Sequence, residues 1–579
     1  MSNITPVKKT FLAAPYFAVV GASKDTTKYG TRILKWYQAR TFNVTPVHPK
    51  EKELEGLSTI PTIGELPSPK ETSISIITPP KVTLSILQQA KDLEVPALWL
   101  QPGAEDDAVI DYVKANGLED KVIYGGPCLL VEGDDIARSF NSTISAAWYT
   151  GWHATDFPLS NVSWSKYTHL TYAFAITTPD VNILSLDSSD VKLLPQFVSL
   201  AKQHGVKASI SIGGWTGSRY FSSNVRTATN RTAFVKTVTS LAEKYNLDGV
   251  DFDWEFPGIQ GIGCNLVDPN DTNNFLAFLH ELRNTPTGKN LILSAATFDT
   301  PWVDSTGLPS MNISEFSQVL DYIAIMNYDV KSNASVGAGP SSPLDDSCAP
   351  VGARFGSAVS AVKDWTSAGM PAHQIVLGVP AYGHSFVAAI PYLGGSNTTL
   401  QNPQFLYYPP YAVNASRRGD RWDGDGGLDV CGVLEGPGGI YTYWGLMEEG
   451  FLNQDGSVKD GILSRFDNCS QTPSLYNKTS GIYVSYDNAQ SFAIKGGFIQ
   501  AAGLKGFAIW EAGGDFNDTL LDSILNATQN GGPNLVSSWN TTQGGNNLPH
   551  SSGFSERLEG AQAVWHALLF LVVIALYAS

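Results

Sequence analysis

Basic residues are scarce in this sequence of 579 residues. Lys and Arg number 38 against 54 Asp and Glu, which gives a formal net charge of −16. A surface that binds phosphates needs the opposite balance, so the composition argues against nucleic acid as a partner. The deficit is uneven, because residues 1–140 hold 15 basic and 17 acidic residues whereas the remainder holds 23 and 37. The chain therefore divides into two parts of different character near residue 140.

Cysteine is also rare, with five residues in the whole chain. Four of them lie after residue 140, an even number that suits two disulfides in a secreted protein, with four buried free thiols as the alternative. These four are Cys264, Cys348, Cys431 and Cys469. Cys128 stands alone in the first part, and we expect it to be an inert thiol.

Glycosylation sequons, by contrast, are abundant after residue 140. The first part holds two, at Asn3 and Asn43. Such a bias predicts that the later part passes through a glycosylating compartment. The thirteen later sequons begin at Asn141, Asn161, Asn230, Asn270, Asn312, Asn333, Asn397, Asn414, Asn468, Asn477, Asn517, Asn526 and Asn540.

The two ends of the chain give conflicting signals. No secretion signal is recognisable at the N-terminus, where Pro15 interrupts an apolar run that continues into a strand-and-turn pattern. Residues 563–579 are mostly apolar, and the polar residues 531–562 before them include the small Ser551. This arrangement predicts GPI attachment, with Ser551 as the site, and a single tail-anchoring helix is the alternative. We therefore expect membrane anchoring by the C-terminus and an extracellular or cell-surface location for the later part.

Residues 1–140 alternate between short apolar runs and helical patterns. This alternation predicts a Rossmann-like, doubly wound parallel sheet. The G-x-G-x-x-G fingerprint is missing, and His48 and Pro49 stand where a ribose-binding acid belongs, which argues against NAD. The predicted strands are Tyr16–Val20, Val44–Val47, Ser73–Ile77, Ala97–Leu100 and Lys121–Tyr124.

Three motifs of this first part, VGAS…KYG, ITPP (77–80) and LQPGAE (100–105), carry a family resemblance. Over residues 12–135 the sequence resembles the small CoA-binding proteins related to the nucleotide domain of succinyl-CoA synthetase alpha subunits. The resemblance implies phosphate contacts from Gly21, Ser23 and Lys24, and an adenine-side wall from Pro79 and Pro80. The segment offers no nucleophile or acid–base pair. We expect CoA binding without catalysis in a domain of cytosolic type, and a Rossmann-like domain that has lost its ligand is the alternative.

Residues 141–530 contain eight apolar runs, most of them separated by helical stretches. Eight such units predict a (β/α)8 TIM barrel. The gap before the last run is the longest, and residues 384–480 within it, rich in Gly, Pro, Tyr and Asn, predict a small α+β insertion. The predicted strands are Ile144–Tyr149, His169–Ile176, Lys207–Ile212, Gly249–Asp253, Leu291–Ala295, Tyr322–Met326, Ile375–Val379 and Gly506–Trp510.

The stretch LDGVDFDWEFPG (247–258) places acids at alternate positions of the fourth run. Side chains at i, i+2 and i+4 share one face of a strand, so Asp251, Asp253 and Glu255 point into the barrel, with Glu255 at its C-terminal mouth. Acids this close raise one another's pKa values, which suits a proton donor at Glu255 above an aspartate pair that shares a proton. A metal site would more plausibly include histidine, and a solvated rim would not alternate with large apolar residues.

DGVDFDWE, SIGGW (211–215), MNYD (326–329), GVPAYG (378–383) and FAIWEAGGD (507–515) follow one another in the chain. On these motifs residues 145–527 are identified as a member of the family 18 glycoside hydrolases, the chitinases. No catalytic position departs from the family pattern, so nothing points to its inactive, lectin-like members.

The family resemblance implies a retaining, substrate-assisted mechanism that needs no cofactor or metal. Glu255 would be the general acid, Asp253 would orient the acetamido group of the sugar, Asp251 would hold the shared proton, and Tyr328 would hydrogen-bond the acetamido oxygen. The expected substrate-binding residues are Trp510 beneath the sugar, Asp329 and Met326 beside it, Trp215 on the product side, and Tyr149 and Phe174 in the wall.

An acetamido nucleophile restricts the expected substrate to N-acetylhexosamine polymers, which means chitin or chito-oligosaccharides. An endo-β-N-acetylglucosaminidase and a non-hydrolysing chitin-binding barrel are the alternatives. The junction RSFNSTISAAWY has almost no linker between the two unlike parts. Either the sequence joins two neighbouring coding regions, or a real fusion stays inside the cell with its sequons unused.

Overall fold

A computed structural model describes residues 6–40, 42–133, 143–330, 332, 335–388, 408–413 and 415–530. The first part forms a five-stranded parallel sheet, as predicted. Numbered along the chain, its strands lie in the order 2-1-3-4-5. The strands are Tyr16–Val20, Val44–Val47, Thr72–Ile76, Leu98–Leu100 and Val122–Ile123, and a small hairpin pairs Glu53–Leu54 with Leu57–Ser58.

Helices cover this sheet and bury its apolar side chains in two clusters that contain no residue beyond 130. The chain reverses direction across the sheet between the first and third strands, which are neighbours. In such sheets the crevice at the carboxyl ends of these two strands is the usual ligand site. The helices are Pro6–Ala13, Tyr29–Gln38, Pro80–Asp92 and Asp107–Ala115.

Eight parallel strands of the second part close into a barrel, because the eighth strand pairs with the first. All eight predicted strands are present, and their ends differ from the predicted ones by at most two residues. The barrel strands, in order, are Ile144–Thr150, His169–Thr177, Lys207–Gly213, Gly249–Asp253, Ile292–Thr297, Tyr322–Ile325, Ile375–Pro380 and Gly506–Trp510.

Helices surround the barrel, and most of its buried apolar side chains lie between strands and helices. A smaller cluster, which includes Ala146, Trp148 and Val376, fills the barrel interior. The surrounding helices are Asp190–Gln203, Phe221–Arg226, Ala228–Tyr245, Asp271–Arg283, Phe316–Val319, Ala358–Ser367, Ala489–Ala501 and Thr519–Asn530.

An antiparallel five-stranded sheet lies between the seventh and eighth barrel strands and forms the predicted insertion. It begins at Tyr382 and its last strand ends at Ser485, close to the predicted bounds. A separate hairpin pairs Gly427–Leu428 with Leu434–Glu435. The sheet strands are Tyr382–Val387, Ile440–Thr442, Ile462–Asp467, Thr472–Asn477 and Ile482–Ser485, and the helix Tyr443–Glu448 follows the second of them.

Two disulfides join the insertion to loops of the barrel, which confirms the prediction from the cysteine count. Cys264, after the fourth barrel strand, bonds Cys431 of the hairpin, and Cys348, after the sixth strand, bonds Cys469 of the insertion sheet. Cys128 is a free thiol and is partly buried.

The predicted anchor at Ser551 and the apolar tail 563–579 lie outside the described residues. Among the residues that the structure does describe, which end at 530, none of the helices has the length and apolar character to cross a membrane.

Candidate active site

The fourth barrel strand carries its acids into the barrel interior, and the deepest of them is Asp251. Its carboxylate accepts hydrogen bonds from Ser211 Oγ (2.8 Å), Ser294 Oγ (2.6 Å) and Trp148 Nε1 (3.2 Å). Burial raises the pKa of Asp251, and these three donors oppose the increase. The donors come from the third, fifth and first strands, so the surrounding barrel fixes this carboxyl in place.

Asp253 lies one alternation further toward the mouth and is 4% exposed. Its Oδ1 has no hydrogen-bond partner among the described residues. Burial, followed by the charges of Glu255 and Asp251, raises the pKa of Asp253 well above its usual range. A buried carboxyl oxygen without a donor is costly, so this oxygen is suited to receive a donor from a ligand.

Glu255 stands just beyond the fourth strand, at the carboxyl ends of the barrel strands. Its amide donates to Ser218 Oγ (3.0 Å), and Asn265 Nδ2 donates to its carbonyl (2.8 Å). Burial raises the pKa of the Glu255 side chain to about 8, and the charge of Asp329 adds to the increase. This carboxyl therefore carries a proton at neutral pH, as a general acid must.

The SIGGW motif shapes the neighbouring turn. Gly213 ends the third strand at φ +113°, and a Cβ there would lie 2.1 Å from the carbonyl oxygen of Asp253. The next amide, of Gly214, donates to that same carbonyl (2.8 Å). Glycine at 213 thus allows the third strand to approach the acid-bearing strand closely.

Tyr328 and Asp329 follow the sixth strand and face the acids. Burial, and then the charges of Asp253, Asp329 and Glu255, raise the pKa of Tyr328 well above its usual range, so its hydroxyl stays protonated and can donate. Tyr382 Oη and His384 Nε2 each lie 2.6 Å from Asp329 Oδ1. Desolvation favours a higher pKa for Asp329, but the bond and charge of His384, with the bond from Tyr382, lower the pKa overall.

Aromatic rings line the mouth beside these acids. Trp510 stacks on Phe174 with ring centroids 5.7 Å apart, and Phe174 stacks on Trp152 at 6.0 Å. Trp510 also contacts Trp148 at 5.8 Å, and Met326 packs against the same interior cluster. Apolar ring faces next to carboxyls suit a sugar, whose C–H faces pack on rings while its polar groups reach hydrogen-bonding partners.

Trp215 lies two residues beyond the third strand, where its ring is about half exposed to solvent (47%). The structure thus places nine of the ten barrel residues predicted from sequence at the carboxyl ends or in the interior of the barrel.

Tyr149 is the exception, and its predicted place in the sugar-binding wall is wrong. Its hydroxyl donates to the carbonyl of Phe157 (2.9 Å), and its ring packs on Tyr172 and Phe197 between the sheet and the helices. Successive side chains of a strand point to opposite faces, so Trp148 faces the interior instead. The inward-facing positions of the first strand are thus shifted by one residue from the predicted ones.

Four residues of the site escaped the sequence interpretation. Trp148 and Trp152 belong to the end of the first strand and the turn after it, and Tyr382 and His384 begin the insertion. The sequence did contain a signal for Trp148. It is a large aromatic residue next to Tyr149, so either of the two could have been the one that faces the interior. Residues after strands one and seven could also have been considered, because active sites form at that end of a barrel.

The residues predicted to bind CoA lie at the crevice of the first sheet. Gly21 follows the first strand at φ +106°, and a Cβ there would meet the Ile77 carbonyl oxygen at 2.5 Å, so glycine lets this turn pack closely on the end of the third strand. Lys24 Nζ lies 2.6 Å from Glu51 Oε2 on the surface. Pro79 and Pro80 begin the helix that follows the third strand.

The fit of a CoA phosphate to Ser23 is poorer. The Ser23 amide donates to Thr31 Oγ1 (3.1 Å), which in turn donates to the Ser23 carbonyl (2.6 Å). The backbone of Ser23 is therefore already hydrogen-bonded, and the group that suits a phosphate is the exposed Lys24.

Comparisons with known proteins agree with this two-part arrangement. The sequence profile of glycosyl hydrolases family 18 matches residues 145–515, and that of a CoA binding domain matches residues 16–134. A chitinase-like effector of Moniliophthora perniciosa is 46% identical over 68% of this chain and 88% of its own length.

Solved structures show the same barrel. A chitinase from Rhizomucor miehei is 31% identical, aligns with 66% of this chain and 99% of its own, and has a TM-score of 0.59. A GH18 chitinase from Cycas revoluta, solved in complex with (GlcNAc)3, is 22% identical over 66% of this chain and 99% of its own, with a TM-score of 0.52. At 22% identity, the similarity to the Cycas revoluta chitinase shows a shared fold alone.

Proposed function

The chain belongs to glycosyl hydrolases family 18, and from this membership we propose that its barrel is a chitinase that hydrolyses β-1,4 linkages between N-acetylglucosamine units. The observation that carries the proposal is the pair Asp253 and Glu255. Oδ1 of Asp253 has no donor within the described part of the chain, and Glu255 has a pKa of about 8. Asp253 can therefore accept a hydrogen bond from an N–H group of the substrate, and Glu255 can donate a proton to the substrate.

In the proposed first step the proton of Glu255 moves to the glycosidic oxygen while the bond from that oxygen to the anomeric carbon breaks. The acetamido carbonyl oxygen of the same sugar forms the new bond to that carbon, which gives an oxazolinium ion. Asp253 Oδ1 accepts the acetamido N–H, and Tyr328 donates to the acetamido oxygen. Asp251, held by its three donors, takes the proton that the two aspartates share, so that Asp253 can carry the negative charge.

In the second step a water molecule attacks the anomeric carbon and opens the oxazolinium ring. The carboxylate of Glu255 takes the proton of the water, which restores the acid for the next cycle. Two inversions at one carbon leave the product in the β configuration. Trp510, Phe174 and Trp152 would stack against sugars beside the cleaved bond, and Trp215 against the product side.

The test uses chitohexaose and the variant Glu255→Gln. We expect wild-type protein to release β-anomers, seen by NMR within the first minutes, and Glu255→Gln to lose at least about a thousandfold in kcat while it still binds the oligosaccharide. Glu315→Gln, an exposed acid before the sixth strand, is the matched control and should behave as wild type. Unchanged hydrolysis by Glu255→Gln would overturn the proposal.

The endo-β-N-acetylglucosaminidase alternative shares this chemistry and differs in substrate. It requires that the protein cleave the chitobiose core of an N-glycoprotein faster than chitohexaose. A direct comparison of kcat/KM on the two substrates separates these activities.

A second candidate function is recognition of chitin oligosaccharides without turnover. The name chitinase-like effector, carried by a relative at 46% identity, favours this candidate because it does not specify hydrolysis. Binding of chitohexaose by wild-type protein with no product after prolonged incubation would support it.

For the first domain we propose binding of CoA without catalysis, supported by the match to a CoA binding domain and by the exposed Lys24 after the first strand. Gly21 and Lys24 would hold phosphates, and Pro79 and Pro80 would contact the adenine side. The bound group would supply a thioester-forming thiol.

We also propose that the barrel reaches the cell surface. None of the eight sequon asparagines described after residue 140 is buried, and two disulfides favour an oxidising compartment. Glycosidase treatment of the native protein should lower its apparent mass, and a phosphoinositide-specific phospholipase should release a GPI-anchored form.

A further inference from the structure

A buried ion pair lies beneath the end of the sixth strand, in a part of the molecule that the proposed chemistry does not use. Lys495 Nζ, on the helix Ala489–Ala501, donates to Asp487 Oδ1 over 2.7 Å. The two side chains are 0% and 2% exposed. Burial lowers the pKa of Lys495, and the charge of Asp487 opposes the decrease.

This pair is connected by hydrogen bonds to the backbone of the site. Lys495 Nζ also donates to Ser342 Oγ (2.6 Å), and Ser342 Oγ donates to the carbonyl oxygen of Asn327 (2.5 Å). Asn327 is fully buried and directly precedes Tyr328. The side-chain amide of Asn327 donates back to Ser342 Oγ (3.3 Å), so the serine holds both ends of this residue.

The same network reaches the insertion. Asp487 follows the last strand of the insertion sheet by two residues, and the hydroxyl of Ser485 in that strand accepts the amide of Ser341 (3.0 Å). The segment with Ser341 and Ser342 is thereby fixed between the insertion, the helix Ala489–Ala501 and the sixth barrel strand.

Stability alone is a poor explanation for such a pair. Desolvation of two charges offsets most of their attraction, and apolar residues of similar volume often replace a buried pair without loss of stability. A hydrogen-bonded network in a core has its clearest use when it selects one local conformation.

We propose that Asp487, Lys495 and Ser342 are positioning residues, an inference that rests on the proposed function. They fix the backbone between Asn327 and Tyr328, and this places the Tyr328 hydroxyl to bind the acetamido group of the substrate. Ser342 Oγ has one proton and two lone pairs. Lys495 Nζ and the side-chain amide of Asn327 both donate to this oxygen, so its proton points to the Asn327 carbonyl. The peptide that carries Tyr328 thus has one orientation.

The test removes the pair as a unit with the double variant Asp487→Leu/Lys495→Met in the full chain. We expect a melting temperature close to that of wild type and a kcat on chitohexaose lower by about ten- to a hundredfold, with KM changed less than threefold. A purely structural pair would instead change stability and leave kcat alone.

A readout independent of hydrolysis accompanies the kinetics. 3-Fluorotyrosine at position 328 should give a sharp fluorine resonance in wild-type protein and a shifted or broadened one in the double variant. Lys166→Met/Asp518→Leu removes a partly buried ion pair elsewhere and should change neither kcat nor this resonance. If wild-type protein hydrolyses nothing, the proposed chitinase function fails while the fluorine signal still tests the positioning role.

Ser342→Ala serves if the double variant does not fold, since it breaks the connection and leaves the ion pair in place. It should reproduce the loss of kcat and the altered resonance. A folded double variant, or Ser342→Ala, with wild-type kcat and an unchanged Tyr328 resonance overturns the proposal.

Discussion

At Glu255, burial and a neighbouring charge act on one carboxyl in the same direction. Both raise its pKa, to about 8, whereas an unperturbed Glu titrates near 4.3. Because the protonated form is the active one, kcat/KM should be maximal well below pH 8 on this account and fall as pH rises through about 8. The folded state also binds more protons than the unfolded state between these values, so this group lowers stability as pH rises from about 4 to 8.

Asp329 contributes part of that shift, which leads to a first prediction. Asp329→Asn removes a negative charge near Glu255, so the pKa of Glu255 should decrease and the basic limb of the kcat/KM profile should move to lower pH. Rates on chitohexaose between pH 4 and 10 measure the effect. Asp460→Asn, an exposed acid of the insertion, is the control. A basic limb that stays in place in Asp329→Asn would contradict the charge interaction.

The adjacent aromatics of the first strand should respond differently to substitution. Tyr149→Phe removes a hydrogen bond in the core and should lower the free energy of unfolding by about 1 kcal/mol with unchanged kcat. Trp148→Phe removes a donor to Asp251 and should lower kcat about tenfold or more. Urea unfolding measures the stability of both variants, and steady-state kinetics measures their kcat. A lower kcat in Tyr149→Phe, with wild-type kcat in Trp148→Phe, would show that Tyr149 belongs to the site after all.

At the scale of elements, the order of the strands could be predicted because each apolar run is bounded by polar turns. The face on which a side chain lies was harder to predict. All seven residues of the first strand are buried, so its sequence shows no alternation between polar and apolar positions. The fourth strand carries its acids at alternate positions, and this marked its inner face correctly.

Loops limited the prediction of the site in the same way. Trp152 lies in a turn, and Tyr382 and His384 lie in the first strand of the insertion. The path of both segments depends on distant parts of the chain. The pairing of the four cysteines depends on which loops meet in space, since the partners are 167 and 121 residues apart. The sequence close to each cysteine does not show which other cysteine is its partner.

The disulfide between Cys264 and Cys431 ties the hairpin of the insertion to the loop after the acid-bearing strand. Replacing both cysteines by serine should lower the free energy of unfolding by about 2–5 kcal/mol. It should also lower kcat, because Asn265, next to Cys264, holds the Glu255 carbonyl. Denaturant titration and kinetics measure the two effects.

The second disulfide provides the matched comparison. Cys348→Ser/Cys469→Ser should lower stability in a similar way and leave kcat closer to wild type, since neither cysteine neighbours a group that contacts Glu255. Equal kcat in the two double variants would show that the first bridge has no specific effect on the acid.

At the scale of the molecule, the two parts have separate cores, and no described core cluster contains residues from both. Calorimetry of the whole chain should therefore show two unfolding transitions. CoA at a hundred times its Kd should stabilise one of them by about 2.7 kcal/mol and leave the other unchanged.

Lys24→Met should weaken this effect of CoA, because the variant lacks a cation at the turn. Lys114→Met, an exposed lysine of the same domain, is the control. If CoA shifts neither transition of the wild-type chain, the first domain does not bind it.

Closure of the barrel also governs when the protein becomes functional during its synthesis. The eighth strand pairs with the first, and it brings Trp510 beside Trp148, which is encoded more than 350 codons earlier. A ribosome must therefore translate nearly the whole barrel before the pocket has its floor. On the proposed function, a nascent chain that has not yet received Trp510 should not hydrolyse chitin, and the onset of hydrolysis should coincide with completed translation of the barrel.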